Sequence, residues 1–110
     1  MSFYEELPIY KKALDLAVHF EKVVRGFDRY HKYTVGTELR NLSREILILV
    51  ALANTSAVRE QKLKETLSKL EELKILIRIC REIKAFRSFN SYEFAVKSTA
   101  DVAKQCEGCA

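Results

Sequence analysis

Residues Leu70 to Lys84 read LEELKILIRICREIK. Leu70, Leu73, Ile77 and Cys80 recur at spacings of three and four, which lines them up on one face of an α-helix. Ile75, Leu76, Ile79, Ile83 and Phe86 widen the apolar arc to roughly 200° around the axis. What remains is a narrow polar strip holding Lys74, Arg78 and Arg81, with Lys84 beside it. Between Leu73 and Asn90 lie Lys74, Arg78, Arg81, Lys84 and Arg87 against Glu82 alone. The chain has nineteen basic and fifteen acidic residues, so the formal +4 of the whole protein resides in this stretch. Like charges three and four apart repel by a few tenths of a kcal/mol per pair. A helix that keeps them either solvates long side chains or presents them to a polyanion.

Three more helical segments surround this one. Pro8 suits the first turn of a helix, and Ile9, Ala13, Leu16, Phe20, Val23 and Phe27 follow at alternating spacings of four and three. Gly26 and Asp28 predict its end. Thr34 is placed to cap a second helix carrying Val35, Leu39, Leu42, Ile46, Leu49 and Ala53. Asn54, Thr55 and Ser56 form a turn cluster. The third helix is expected from about Arg59 to Phe86, with Leu63 and Leu67 extending the core stripe. Glu60–Lys64 and Glu65–Lys69 support its first half. Asn90 with Glu93 makes a capping-box-like start for a fourth helix bearing Tyr92, Val96, Thr99, Ala103 and Cys106, with Gly108 as its stop. The fold expected is all-α, an antiparallel up-down four-helix bundle built as one domain over residues 1–110. With 110 residues and 48% hydrophobic content, such a domain buries roughly two thirds of its unfolded surface.

The bundle has more apolar surface than its own core uses. On the second helix the side away from the core is polar early, with Thr37, Arg40, Asn41 and Arg44. It turns apolar at Leu47, Ile48, Ala51 and Leu52. Such patches mark contacts between chains, and these four residues are the candidate oligomer interface. A second basic group, Lys22, Arg25, Arg29, His31 and Lys32, surrounds the first interhelical loop and is opposed only by Asp28. Tyr30 and Tyr33 are interleaved, and rings among basic residues can stack on unpaired bases. The alternative is an ordinary solvated loop with one tyrosine folded inward. The two basic groups form one surface only if that loop lies beside the C-terminal half of the third helix.

Catalytic signals are weak. His19 and His31 have no Ser or Cys partner nearby in sequence, the carboxylates are dispersed, and no Glu-x-x-His pair suggests a di-iron centre. Cys106-Glu107-Gly108-Cys109 has C-x-x-C spacing, but tetrahedral zinc would need Cys80 and a histidine to complete four ligands across the bundle. Three cysteines in a chain with a substantial core argue against a disulfide framework. No enzymatic activity, cofactor or metal is expected. The longest apolar run, Ile46 to Ala53, falls far short of the ~20 residues of a spanning helix. MSFYEELP, the opening of the chain, has no charged-then-apolar leader. The expectation is a soluble, cytoplasmic protein without a membrane partner.

Leu7-Pro8-Ile9-Tyr10-Lys11 opens the first helix, and Tyr33-Thr34-Val35-Gly36 precedes Glu38-Leu39-Arg40-Asn41-Leu42. The Leu-Glu-Glu-Leu-Lys…Ile-Arg run follows, then Ser91-Tyr92-Glu93-Phe94. This order resembles the Avd-type branch of the bacterial four-helix-bundle superfamily, the accessory variability determinants of diversity-generating retroelements. The resemblance covers roughly residues 7 to 109. It implies a non-enzymatic helper that forms a homopentameric ring, binds RNA or an RNA/DNA hybrid, and associates with a reverse transcriptase. That complex copies a template-repeat RNA into adenine-mutagenised cDNA. By position, the resemblance carries Arg78, Arg81 and Lys84 into a nucleic-acid-binding role, together with Arg40 and Arg44. Glu107-Gly108-Cys109-Ala110 departs from the family's frequent terminal aromatic. A second resemblance is to the proteins encoded in intervening sequences of bacterial ribosomal RNA, which share the fold. This chain lacks their Ser-Ile-Pro or Ser-Val-Pro element and the following Asn-Ile-Ala-Glu-Gly. A third class is a structural protein–protein adaptor with no affinity for nucleic acid.

Overall fold

The computed structural model describes residues 6–55 and 57–109. Residues 1–5, including most of the opening read for a leader, lie outside it. So do Ser56 of the turn cluster, Ala110 and the side chains of Thr55 and Cys109. Among the described residues there are four long helices and one short one: α1 (Pro8–Arg25), α2 (Arg29–Lys32), α3 (Val35–Thr55), α4 (Arg59–Glu82) and α5 (Phe89–Cys109). Each long helix packs against two others, giving the circuit α1–α3–α4–α5 with α1 and α4 at opposite corners. The result is the expected four-helix bundle, 42 × 26 × 21 Å. No helix among the described residues is long and apolar enough to cross a membrane.

Pro8 stands in the first turn of α1, where its missing N–H leaves no bond unmade. Gly26 ends that helix, its N–H bonded to the Val23 carbonyl at 3.0 Å. The expected loop that follows contains an extra helical turn, α2. It forms because the Asp28 carboxylate accepts the His31 N–H at 3.0 Å, an N-cap that the chain uses at once. Thr34 flanks the start of α3 as predicted, but its hydroxyl points backwards and donates to the Tyr30 carbonyl at 2.8 Å. Gly36, buried two residues into α3, is a close-approach glycine. A Cβ there would stand 2.6 Å from Val24 Cγ1 and 2.9 Å from the His31 carbonyl oxygen.

One core runs the length of the bundle, with Leu16, Phe20, Leu39, Ile46, Leu70, Leu73 and Ile77 fully buried. Most of the expected stripe positions are buried, and at single positions on each long helix a neighbouring residue is buried instead. On α1, Val24 is buried and Val23 only half-buried; on α3, Ser43 and Val50 are buried while Leu42 and Leu49 are half-buried. On α4 Thr66 is buried in place of Leu67, and on α5 Ala95 and Val102 are, leaving Tyr92 half-buried and Val96 exposed. Hydroxyl side chains account for two of these positions, Ser43 and Thr66. Ser43, Thr66 and Thr99 donate to the carbonyls of Arg40, Lys62 and Ala95, at 3.1, 2.8 and 2.7 Å, so each is satisfied within its own helix. Ser43 and Thr66 fill core positions that apolar periodicity alone does not assign, whereas Thr99 stands where the spacing predicts.

Both helix ends around residues 82–90 differ from expectation. α4 stops at Glu82, four residues before Phe86. Lys84 takes the left-handed conformation (φ 61°) and closes a Schellman motif. In it the Ala85 N–H bonds the Cys80 carbonyl at 2.8 Å and the Lys84 N–H bonds that of Arg81 at 3.1 Å. A glycine normally signals this stop, and here a lysine makes it. α5 begins at Phe89, capped by Ser88, whose Oγ accepts the Ser91 N–H at 3.1 Å. The Asn90–Glu93 cap therefore does not form, and Glu93 pairs instead with Lys97 at 3.7 Å. α5 also runs through Gly108 to Cys109 rather than stopping there.

Candidate nucleic-acid interface

α1 ends, α3 begins, α4 ends and α5 begins at the same end of the bundle. The first interhelical segment therefore meets the C-terminal end of α4, which was the condition for the two basic groups to form one surface. Arg87 Nε donates to the Gly26 carbonyl and ties the α4–α5 connection to the end of α1. Beneath it, Phe27 and Phe86 meet edge-on at 5.7 Å, and Phe86 meets Tyr92 in the same way at 5.7 Å. These ring contacts brace the end of the bundle by joining the segment after α1, the α4–α5 connection and α5.

Neutralisation divides the cations. Lys74 is paired with Glu71 at 3.0 Å and Arg78 with Glu82 at 3.0 Å, so the strip on α4 carries less free charge than its sequence suggests. Arg40 and Arg44 both pair with Glu21, Arg40 at 3.4 Å. They lie on the α1/α3 seam, on the opposite side of the bundle from the α4/α5 groove that Lys74 and Arg78 line. By contrast Arg25, Arg29, Lys32, Arg81, Lys84 and Arg87, all at the basic end, have no carboxylate within ion-pair distance among the described residues. Asp28 is the nearest acid in sequence to three of them. It is spent on His31, and that backbone bond holds its carboxyl below the ordinary range.

The groove between α4 and α5 leads from the strip to this end. Its mid-section, lined by Lys74, Ile77, Arg78, Tyr92, Val96 and Thr99, encloses about 280 Å³. Around the corner a smaller hollow of about 170 Å³ is lined by Arg81, Lys84, Phe86, Arg87, Ser88, Phe89 and Tyr92. Tyr92 belongs to both. Arg81 lies over the Tyr92 ring, 4.9 Å from its centroid, and donates to its hydroxyl at 3.3 Å. The acids of α5 turn away: Asp101 meets Lys12 of α1 at 3.8 Å, and Glu93 meets Lys97. From Lys74 to Lys84 the basic line is about 15 Å long at 1.5 Å per helical residue. That length matches four to five nucleotide steps of ~3.4 Å.

Tyr30 and Tyr33 are both exposed, so neither folds inward as an ordinary loop would have it. Phe86 and Phe89 are the site residues that the reading of the sequence passes over, Phe86 being counted as helix apolar surface. The signal was present, since Lys84-Ala85-Phe86-Arg87-Ser88-Phe89 interleaves rings and cations as Arg29-Tyr30-His31-Lys32-Tyr33 does.

The other candidates are structural in their surroundings. His19 stacks on Phe94 (4.4 Å) and its Nε2–H donates to the Ser91 carbonyl at 3.3 Å, which joins α1 to α5. Burial lowers its pKa, so the ring is neutral at pH 7. Burial, reinforced by Glu38, pushes the Cys80 thiol up to about 12 and keeps it protonated. Cys106 donates its thiol to the Leu63 carbonyl at 3.4 Å. Leu63 and Cys80 are some 25 Å apart along α4 by helical rise, so Cys80 and Cys106 do not share a site. Among the described residues no group of three His, Cys, Asp or Glu side chains is placed to hold a metal ion.

On the second helix of the expected interface, Ile48 and Leu52 are 56% and 46% exposed on the outer ridge of α3, whereas Leu47 and Ala51 are half-buried. No protein-family model matches this chain, and no curated protein matches it.

Proposed function

We propose that this protein is a non-enzymatic nucleic-acid-binding accessory factor that works as a homo-oligomer. The observation that carries the reading is the cluster of six cations that have no carboxylate partner among the described residues, at one end of the bundle and continuous with the α4/α5 groove. Such a surface neutralises phosphates and releases counterions, which supplies most of the free energy of sequence-tolerant binding. In its finer form the proposal follows the resemblance to accessory variability determinants. The nucleic acid is then a template RNA or its RNA/DNA hybrid, the partner a reverse transcriptase, and the assembly a pentamer.

Arg25→Glu with Lys84→Glu tests the surface, because both side chains are exposed and neither is ion-paired among the described residues. Mobility shifts with structured RNA and with a hybrid duplex at two salt concentrations are the measurement. Affinity at low salt should fall by an order of magnitude or more. The slope of log affinity against log salt should flatten by about 1.5 units, at 0.7–0.9 per phosphate contact. Unchanged binding would remove the site, and with it the preference for this reading over a structural adaptor.

A further inference from the structure

We propose that the hollow at the α4–α5 corner seats the phosphate of one unpaired nucleotide among Arg81, Lys84 and Arg87, with its base stacked outside the hollow on the exposed Phe89. The proposal rests on the nucleic-acid reading above and deepens it, giving the protein a preference for single strands, loops and ends over duplex. Three cations and three aromatic rings line a space of about 170 Å³. That is the room of five or six water molecules at ~30 Å³ each, well below a drug-sized pocket.

The rings are not equivalent. Phe86 is half-buried between Phe27 and Tyr92, and Tyr92 carries Arg81 on its ring. Phe89 is 61% exposed, and among the described residues its ring contact is a tilted one with Tyr92 at 5.8 Å. It stands at the first position of α5, where an exposed phenylalanine adds little to the helix. A stacked base would cover it. Bases inside a duplex are already stacked and have no free face, so only an unpaired one gains from this ring. The phosphate side of the hollow is equally specific in chemistry. Arg87 is held by its Nε bond to the Gly26 carbonyl, which fixes the direction of its guanidinium. Lys84 projects from a left-handed backbone position that glycine would occupy without strain.

Three probes separate the possibilities: a uridine dodecamer, an abasic ribose-phosphate chain of the same length, and a twelve-base-pair RNA duplex. Fluorescence anisotropy at low salt reads their affinities for the wild type, Phe89→Ala and Phe89→Tyr, with circular dichroism confirming helicity. Wild type should bind the dodecamer more tightly than the abasic chain. Phe89→Ala should weaken the dodecamer about five- to 150-fold, the range measured for one stacked base, and leave the other two probes unchanged. Phe89→Tyr should restore it. Equal weakening of all three probes, or an unaltered dodecamer affinity, overturns the nucleotide pocket while leaving the basic surface standing. Failure of wild type to bind any of the three overturns the nucleic-acid reading itself.

Discussion

At the residue scale, two glycines make opposite demands on the same substitution. Gly36 lets α3 start against the end of α1, and a methyl there meets the fully buried Val24 and a backbone carbonyl, both inside 3.0 Å. Neither can swing aside freely. Overpacking of this kind costs about 1–3 kcal/mol, more than the ~1 kcal/mol by which alanine outranks glycine in a helix. Gly108, also helical, has nothing within 4 Å of its would-be Cβ. Gly36→Ala should therefore lower the melting temperature and Gly108→Ala raise it slightly. A domain of this size shifts about 4–8 °C per kcal/mol, so thermal unfolding by circular dichroism resolves both signs. A Gly36→Ala protein as stable as wild type would mean that α1 and α3 part without cost. Neither role could be read from the letters. Gly108 looks like a helix stop because glycine usually is one, and Gly36 lies in a quoted run without any mark of its neighbour Val24, twelve residues away.

At the element scale, the four long helices are legible because the 3.6-residue period survives the few positions at which a neighbouring residue is buried instead. Ile9, Ala13, Leu16 and Phe20 are buried as their spacing predicts, and so are Leu63, Leu70, Leu73, Ile77 and Cys80. Ends are harder. The end of α4 depends on Lys84 adopting φ 61°, and no propensity favours a lysine there. A left-handed residue with a Cβ costs roughly 1–2 kcal/mol, which glycine would avoid. Lys84→Gly should thus stabilise the bundle by about 1 kcal/mol, visible as a higher denaturation midpoint with an unchanged slope. The same change removes a cation from the corner hollow, so affinity for the uridine dodecamer should fall. Opposite movements of stability and binding are the expected signature of strain kept for function. Loss of both together would mean that the lysine side chain supports the fold instead. The basic end was half legible for a related reason. The sequence shows which residues are cations, but Glu71, Glu82 and Glu21 decide which of them remain unpaired.

At the scale of the whole molecule, the ridges of the helices carry the remaining argument. α3 exposes Ile48 and Leu52, one turn apart, and α4 exposes Ile75 (63%) and Ile79 in the same way. α1, at the corner opposite α4, exposes Leu14 and Val18. α5 exposes Phe94 and Val96 as well, with the Lys97–Glu93 ion pair on its surface beside them. Between the α3 and α4 pairs lies Lys69, bridged to Glu45 at 3.4 Å and Glu72 at 3.6 Å, an ion cluster that would align an approaching surface. Half-exposed Ile48 and Leu52 together leave roughly 1.5–3 kcal/mol of burial unused, at 1.5–3 kcal/mol for each fully buried aliphatic side chain. A second copy of the chain can cover them, and apolar ridges at opposite corners suit a head-to-tail contact. Such a contact makes a ring where its rotation closes and a filament where it does not, whereas a two-fold dimer would join like corners and leave the opposite ridge bare. Wild-type protein should therefore elute as a closed multiple of 12.7 kDa, five copies if the family resemblance holds. Ile48→Glu should yield a smaller species of unchanged helicity, because Ile48 is more than half exposed and contributes little to the subunit's own core. Size-exclusion chromatography with light scattering measures both masses. A wild-type mass of a single chain would end the ring, and an Ile48→Glu mass equal to wild type would move the contact off α3 to the ridges of α1 and α4.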